Sequence, residues 1–312
     1  MKNNRLVTVL LILVILLGAG IALYPFIADT WNRMHAAHVI TNYEEEVSHM
    51  DSGEADAMLQ EAEQYNKELS ARGLYLRLSK DEQKEYDRQL RFDESGLMGM
   101  IDIPSINVSL PVCHGADEEV LKTSIGHLPG TSLPVGGPST HAVLSGHRGL
   151  PSAKLFSDLD KVKEGDYFIL RVLNRILYYQ VDQIQTVLPA EISSLQIQEG
   201  QDLVTLVTCT PYGVNTHRLL VRGHRVDHMT GNAVQTRRAV SDAEWVNAIL
   251  IGTAAALLLM ILLAGICIAH KLQRHRIYQR RHPYFSDREL LDSEDIGTQI
   301  WRKRQKSIRK RK

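Results

Sequence analysis

Leu203-Val204-Thr205-Leu206-Val207-Thr208-Cys209-Thr210-Pro211-Tyr212-Gly213 is a run of apolar and β-branched residues that stops at a proline and a glycine. The pattern predicts a strand that delivers Cys209 at its end, with Pro211-Tyr212-Gly213 turning the chain away. A second apolar run, Arg218-Leu219-Leu220-Val221, follows. If it returns antiparallel, it brings a guanidinium back beside the sulfur. A thiol nucleophile needs a base within reach and a cation for the oxyanion of a tetrahedral intermediate, which makes Cys209 and Arg218 candidates for acyl chemistry.

Working upstream, the same texture recurs at Met100 to Ile103, Val108 to Val112, His141 to Leu144, Tyr167 to Val172 and Ile176 to Val187. With the two above, these make seven strand candidates in about 130 residues, which argues a mainly β barrel or sandwich. Gly130-Thr131-Ser132-Leu133-Pro134-Val135-Gly136-Gly137-Pro138 is the densest turn segment, and long loops on β scaffolds tend to carry function. His147 ends one strand and precedes Gly149, which leaves room for a substrate. His141, His217 and His224 are rival bases that spacing does not rank. The bland alternatives are a buried thiol or half a disulfide for Cys209, a loop histidine for His147 and a surface ion pair for Arg218.

Before the β region, residues 29–93 show helical signals. Asp51 with Glu54 opens a stripe of Ala55, Leu59, Ala62, Tyr65 and Leu69, and Ser79 with Glu82 opens a second helix from Lys80 to Leu90. Outside these lie two uncharged runs, Leu6 to Ala28 and Trp245 to Ala269, each long enough as a helix to cross a hydrocarbon core. Both read as transmembrane helices, which excludes a soluble cytoplasmic enzyme. For the first run the other reading is a cleaved signal peptide, but Tyr24-Pro25-Phe26 makes a poor small-residue cleavage site, so retention is expected.

Formal charge is balanced at 36 basic against 36 acidic residues, yet it is unevenly spread. Lys271 to Lys312 holds 14 Lys or Arg and 5 Asp or Glu, net +9; Lys2 and Arg5 add +2, so the middle carries −11. Basic flanks stay inside, which places both ends in the cytoplasm and the acidic middle outside. The basic tail reads as an anchor on anionic headgroups rather than a nucleic-acid arm. Of three cysteines, Cys267 falls in the second apolar run; Cys113 and Cys209 lie in a compartment that permits a disulfide, and the pattern leaves their state open.

At these residues the sequence resembles the sortases, the cysteine transpeptidases of Gram-positive surfaces, and among them the pilus-building class C enzymes. Thr205-Leu206-Val207-Thr208-Cys209 fits the family's TLxTC strand, and Asn215-Thr216-His217-Arg218-Leu219-Leu220-Val221-Arg222-Gly223 is similar to its arginine strand. Ser145-Gly146-His147-Arg148-Gly149-Leu150-Pro151 with Ala153-Lys154-Leu155-Phe156 looks like the class C histidine segment. Gly126-His127-Leu128-Pro129-Gly130-Thr131-Ser132-Leu133-Pro134 and Ile101-Asp102-Ile103-Pro104 are similar too.

The resemblance implies a closed sortase-type β-barrel with an N-terminal helical arm and two transmembrane helices. It implies Cys209 as a free nucleophile, His147 as general acid and base, and Arg218 holding substrate and oxyanion. The expected boundaries are 1–5 cytoplasmic, 6–28 transmembrane, 29–95 helical arm and lid region, 96–228 barrel, 229–244 linker, 245–269 transmembrane and 270–312 cytoplasmic tail. The partners implied are LPXTG-containing surface proteins or pilins and membrane lipids, with no nucleic acid, and no metal or organic cofactor is called for. A housekeeping sortase using a peptidoglycan amine, a water-using cysteine peptidase and a non-enzymatic two-span receptor are the competing readings. One departure stands out: class C enzymes commonly carry an Asp-Pro-aromatic lid, and residues 70–95 contain no proline. A loosely held cover is expected, with Tyr75 the residue to lie nearest Cys209.

Overall fold

The computed structural model describes residues 2–74, 76–91 and 96–228, with Gly252, Thr253, Met260, Gly265, Gln273 and Thr298 beyond them. The chain divides into two units, Met1–Asp242 and Ala243–Lys312. In the second unit the six described residues are helical. The linker expected at 229–244 and most of the span expected at 245–269 and of the basic tail lie outside the described residues.

In the first unit, α1 (Lys2–His49) is one continuous helix that runs through Pro25. Its apolar half has a window of mean hydropathy 2.1 with none of it buried. Farther along, Ala36 and Tyr43 pack on the rest of the unit. Asp51 caps α2 (Ser52–Arg72) by accepting from the Gly53 N–H, and the buried stripe is Ala55, Leu59, Ala62, Tyr65, Asn66 and Leu69, the sequence pattern plus one asparagine. That asparagine fits because its side chain pairs with both backbone groups of Leu133, at 3.0 and 2.7 Å. The second capping box forms as its residues dictate: Ser79 and Glu82 bond reciprocally at the start of α3 (Lys80–Arg88). Tyr86 of α3 is fully buried and donates its hydroxyl to the His127 carbonyl at 3.2 Å, tying the arm to the β region.

Eight strands follow: β1 (Leu97–Ile103), β2 (Val108–His114), β3 (Ile125–His127), β4 (Thr140–Ser145), β5 (Tyr167–Val172), β6 (Arg175–Val187), β7 (Asp202–Thr210) and β8 (His217–Val226). They close into a barrel in the order β1-β2-β3-β4-β7-β8-β6-β5, which decides between barrel and sandwich. The pairs β2 with β3 and β4 with β7 are parallel. The others are antiparallel. The strand that pattern reading missed is β3, only three residues long and spelled Ile-Gly-His, too short for alternation to register.

Strand alternation sorts the side chains. Ala142, Leu144, Phe168, Tyr179, Val204, Leu206, Leu219 and Val221 belong to one core cluster inside the barrel. The residues between them face out. On that outer face Val143, Leu195 and Leu220, with Leu128, Val187 and Val207 beside them, form a separate apolar cluster over β4, β7 and β8. Leu195, from the connection between β6 and β7, packs there on the outside of the sheet.

Candidate active site

Cys209 has the same parity on β7 as Val207, so it shares the barrel's outer face while Thr208 turns inward and is buried. Directly across the β7–β8 pair, Cys209 is the register partner of Arg218. Opposed residues of an antiparallel pair have Cβ atoms roughly 4.5–5.5 Å apart, so the antiparallel return read from the sequence places guanidinium and thiol as neighbours. The Arg218 Nη1 donates to the carbonyls of Asn215 and His217 at 3.2 and 3.1 Å, which folds the guanidinium over the β7–β8 turn and leaves its other N–H groups for a ligand.

His147 reaches the same place from the other side. β4 runs parallel to β7 with Ser145 opposite Val207. The same spacing of 62 residues persists beyond the strand, where Thr208 Oγ1 donates to the Gly146 carbonyl at 2.7 Å and Arg148 Nη1 donates to Thr210 Oγ1 at 3.2 Å. His147 therefore occupies the position level with Cys209. Gly146 is needed just before it because a Cβ there would meet Ile125 and Phe156 at 2.7 Å. Gly149, at φ +83°, turns the chain beneath Tyr212.

The rival histidines are placed otherwise. His141 is fully buried, with Nδ1 2.9 Å from the Gln196 carbonyl and Nε2 2.7 Å from Thr205 Oγ1, and burial pushes its pKa down. It pins the β6–β7 loop to β7. His224 lies by Asp182 at 3.7 Å, seven positions up β8 from His217. His217 is opposite Thr210, one step beyond the thiol, with its ring on Thr216. No disulfide joins Cys113 and Cys209; Cys113 is buried beside Leu97 and Met100.

Two further residues bear on the site: Arg148, which was not singled out from the sequence, and Leu74, which belongs to the proline-free stretch read there as a loosely held cover. Arg148 has a side chain only 8% exposed and ties Thr210 to Asp160, so it braces the loop that carries His147. It stood inside a quoted motif, but the parallel register that gives it a partner is a long-range fact. Leu74 packs against the outer apolar cluster of Val143, Leu195 and Leu220. Gly73, at φ +82°, ends α2 with its N–H on the Leu69 carbonyl and lets the chain turn toward the barrel. Leu74 thus lies on the barrel's outer face, the face that also carries Cys209, whereas Tyr75, the residue expected nearest the thiol, lies outside the described residues.

A cavity of about 850 Å³ between α2 and the Gly136–Thr140 loop is not part of this site. Asp202 lines it, and Asp202 is seven residues up β7 from Cys209, roughly 23 Å along a strand. There the Asp202 carboxylate accepts from Gly137 N–H and Tyr179 hydroxyl at 2.8 and 2.9 Å, and burial nevertheless holds its pKa above the usual carboxylate range. This is a strut between loop and barrel.

Thiol, guanidinium and imidazole on three adjacent chain segments at one end of a closed barrel form an arrangement able to carry out acyl transfer. Comparison with known proteins agrees with that class. A family model described as a sortase domain matches residues 101–226. Sortase C1 from Streptococcus agalactiae has a similar structure, with a TM-score of 0.60 and 54% identity over 61% of this chain and 99% of that one. Sortase C from Clostridium perfringens, solved with the C-terminal cell wall sorting motif, gives a TM-score of 0.55 and 44% identity over 62% of this chain and 100% of that one. Sortase A of Bacillus anthracis is 30% identical over 134 residues, and the match covers 43% of this chain and 62% of that relative, less than two thirds of its length. The chain belongs to the sortase family, whose members are cysteine transpeptidases.

Proposed function

We propose that this chain is a membrane-anchored cysteine transpeptidase that cleaves an LPXTG-like sorting signal between Thr and Gly and passes the Thr acyl group to a pilin lysine. The observation that carries the reading is the register itself: Cys209 opposite Arg218 on β8 and level with His147 beyond β4. In this mechanism the Cys209 thiol attacks the Thr carbonyl and its proton passes to His147. Arg218 stabilises the oxyanion, and His147 protonates the departing Gly amine to leave a thioester on Cys209. The lysine amine then attacks, gives its proton to His147 and releases Cys209. The pilin acceptor follows from the class C look of the histidine segment and from the class C structures it resembles.

The same reading has the apolar half of α1 and the 245–269 run spanning the membrane of a Gram-positive cell, with the barrel outside. Incubating the full chain in detergent with an LPXTG peptide should add the mass of the acyl fragment to Cys209, and hydroxylamine should remove it. A lysine-bearing pilin peptide should then yield an amide-linked product. Hydrolysis only would favour the peptidase reading, transfer to a peptidoglycan-type amine alone the housekeeping one, and no adduct the receptor.

A further inference from the structure

α1 runs along the barrel from its reactive end to the opposite end. Near its apolar half, Asp29 Oδ1 accepts from the Lys154 N–H at 2.8 Å and Asn32 Nδ2 donates to the Ser152 carbonyl at 2.7 Å. Fourteen residues later, roughly 21 Å along the helix, Tyr43 accepts from the Leu173 N–H at 2.7 Å, and Glu44 pairs with Arg171. Ser152 and Lys154 belong to the loop that follows His147, whereas Leu173 is in the β5–β6 turn. Val187, at the far end of β6 from that turn, is the partner of Arg218. The reactive end of the barrel is therefore the end hung closest to the uncharged run, which stops at Ala28, next to Asp29. The headgroup layer is roughly 5–8 Å deep on each side of the hydrocarbon core, so a loop held at Asp29 and Asn32 lies within it.

The surface there suits such a place. Residues 147–163 present Lys154, Lys161 and Lys163 at the surface, with Asp158 paired to Lys154 and Lys161 at 2.5 and 2.8 Å and Asp160 paired to the buried Arg148, so the stretch carries net +2 in an acidic middle region. On the adjoining β7–β8 turn Tyr212 and Val214 are 62% and 65% exposed, and Tyr212 covers Gly149 of the same loop. On α1, Trp31 is 72% exposed just past the apolar run, where aromatic residues mark membrane interfaces.

Resting on the proposed membrane anchoring, we infer that the rim formed by residues 149–163 and the 211–216 turn docks on the anionic outer surface of the bilayer. The lysines lie on lipid headgroups and Tyr212 with Val214 dips into the interface. Substrate then reaches Cys209 from the plane of the membrane.

The test places a photoreactive benzophenone amino acid at Val214, at Phe26 in the apolar half of α1, or at Ile176, an exposed residue beside the β5–β6 turn. The full chain is reconstituted in phosphatidylglycerol-containing nanodiscs and lipid adducts are read by mass spectrometry. Adducts at 26 and 214 with none at 176 are expected. Adducts at 26 alone would overturn the docked rim while leaving the anchor intact, and none at 26 would overturn the anchor and the rim together. Equal yields at 176 and 214 would also overturn the rim. Each lysine near an anionic surface shifts such an equilibrium roughly fivefold, so Lys161→Gln with Lys163→Gln should cut the yield at 214 several-fold without changing that at 26. An unchanged yield at 214 would refute the headgroup contact.

Discussion

Truncating Leu74 should ease peptide access to the outer face that carries Cys209. Leu74 lies half-buried against Val143, Leu195 and Leu220, on the outer face that also carries Cys209, and a sorting signal bound along that face would have to displace it. A fully buried leucine is worth about 1.5–3 kcal/mol, so cutting a half-buried one to alanine forfeits about 1–1.4 kcal/mol of closure. That corresponds to about a fivefold to tenfold rise in the open fraction, and apparent affinity follows the open fraction when the closed state dominates. For Leu74→Ala in the full chain, kcat/KM on a sorting-signal peptide at subsaturating concentration should rise by that factor. Alkylation of the half-exposed Cys209 by iodoacetamide should change less than twofold, because a small reagent does not need to displace Leu74. The reasoning fails if kcat/KM stays within twofold of the parent. A fall would mean that Leu74 helps to hold the peptide and does not compete with it.

Three other outcomes are expected. Cys209→Ala should abolish product, His147→Ala and Arg218→Ala should leave a trace, and His217→Ala should keep most activity; equal loss at His217 and His147 in a transpeptidation assay would reassign the base. Burial lowers the pKa of His127 to about 4, and it is fully buried with Nε2 2.8 Å from the Ser132 carbonyl. The unfolded chain therefore binds this proton first as pH falls, and stability is lost from about pH 6.5 down to about pH 4, by about 3 kcal/mol in total; denaturant melts should show this slope, and His127→Asn should flatten it, with His141 contributing in the same direction. Protease added to intact protoplasts should remove the barrel and spare epitope tags at both termini, and digestion of the C-terminal tag would contradict a cytoplasmic tail.

Local chemistry made much of this molecule readable. The caps at Asp51 and Ser79, the stripe from Ala55 to Leu69 and seven of the eight strands follow from neighbours a few residues apart. The Cys209–Arg218 pairing was also within reach, since a short turn joins the two runs. The parallel pairing of β4 with β7 was not, because nothing local fixes the register of strands whose partners are 62 residues apart. That register puts His147 level with Cys209, gives Arg148 its partner and turns His141 into an internal strut, so spacing alone could not rank the histidines. For the stretch around Leu74 the sequence suggested a loosely held cover, but a proline-free loop carries no mark of which residue will pack on the barrel.

The connection from Leu188 to Gln201 leaves β6 at the reactive end and enters β7 at the other, so it crosses the outer face of the barrel lengthwise. It contributes Leu195 to the outer apolar cluster and is held by Gln196 on His141, Ser194 on Gln185 and Ser139 on the Gly200 N–H. It covers part of the outer face but supplies no rung of the ladder. Residues can be gained, lost or exchanged along it without moving the strands that align thiol, guanidinium and imidazole. Descendants of such an enzyme are thus free to change cargo by rewriting one surface segment, while the chemistry is inherited intact from the barrel beneath.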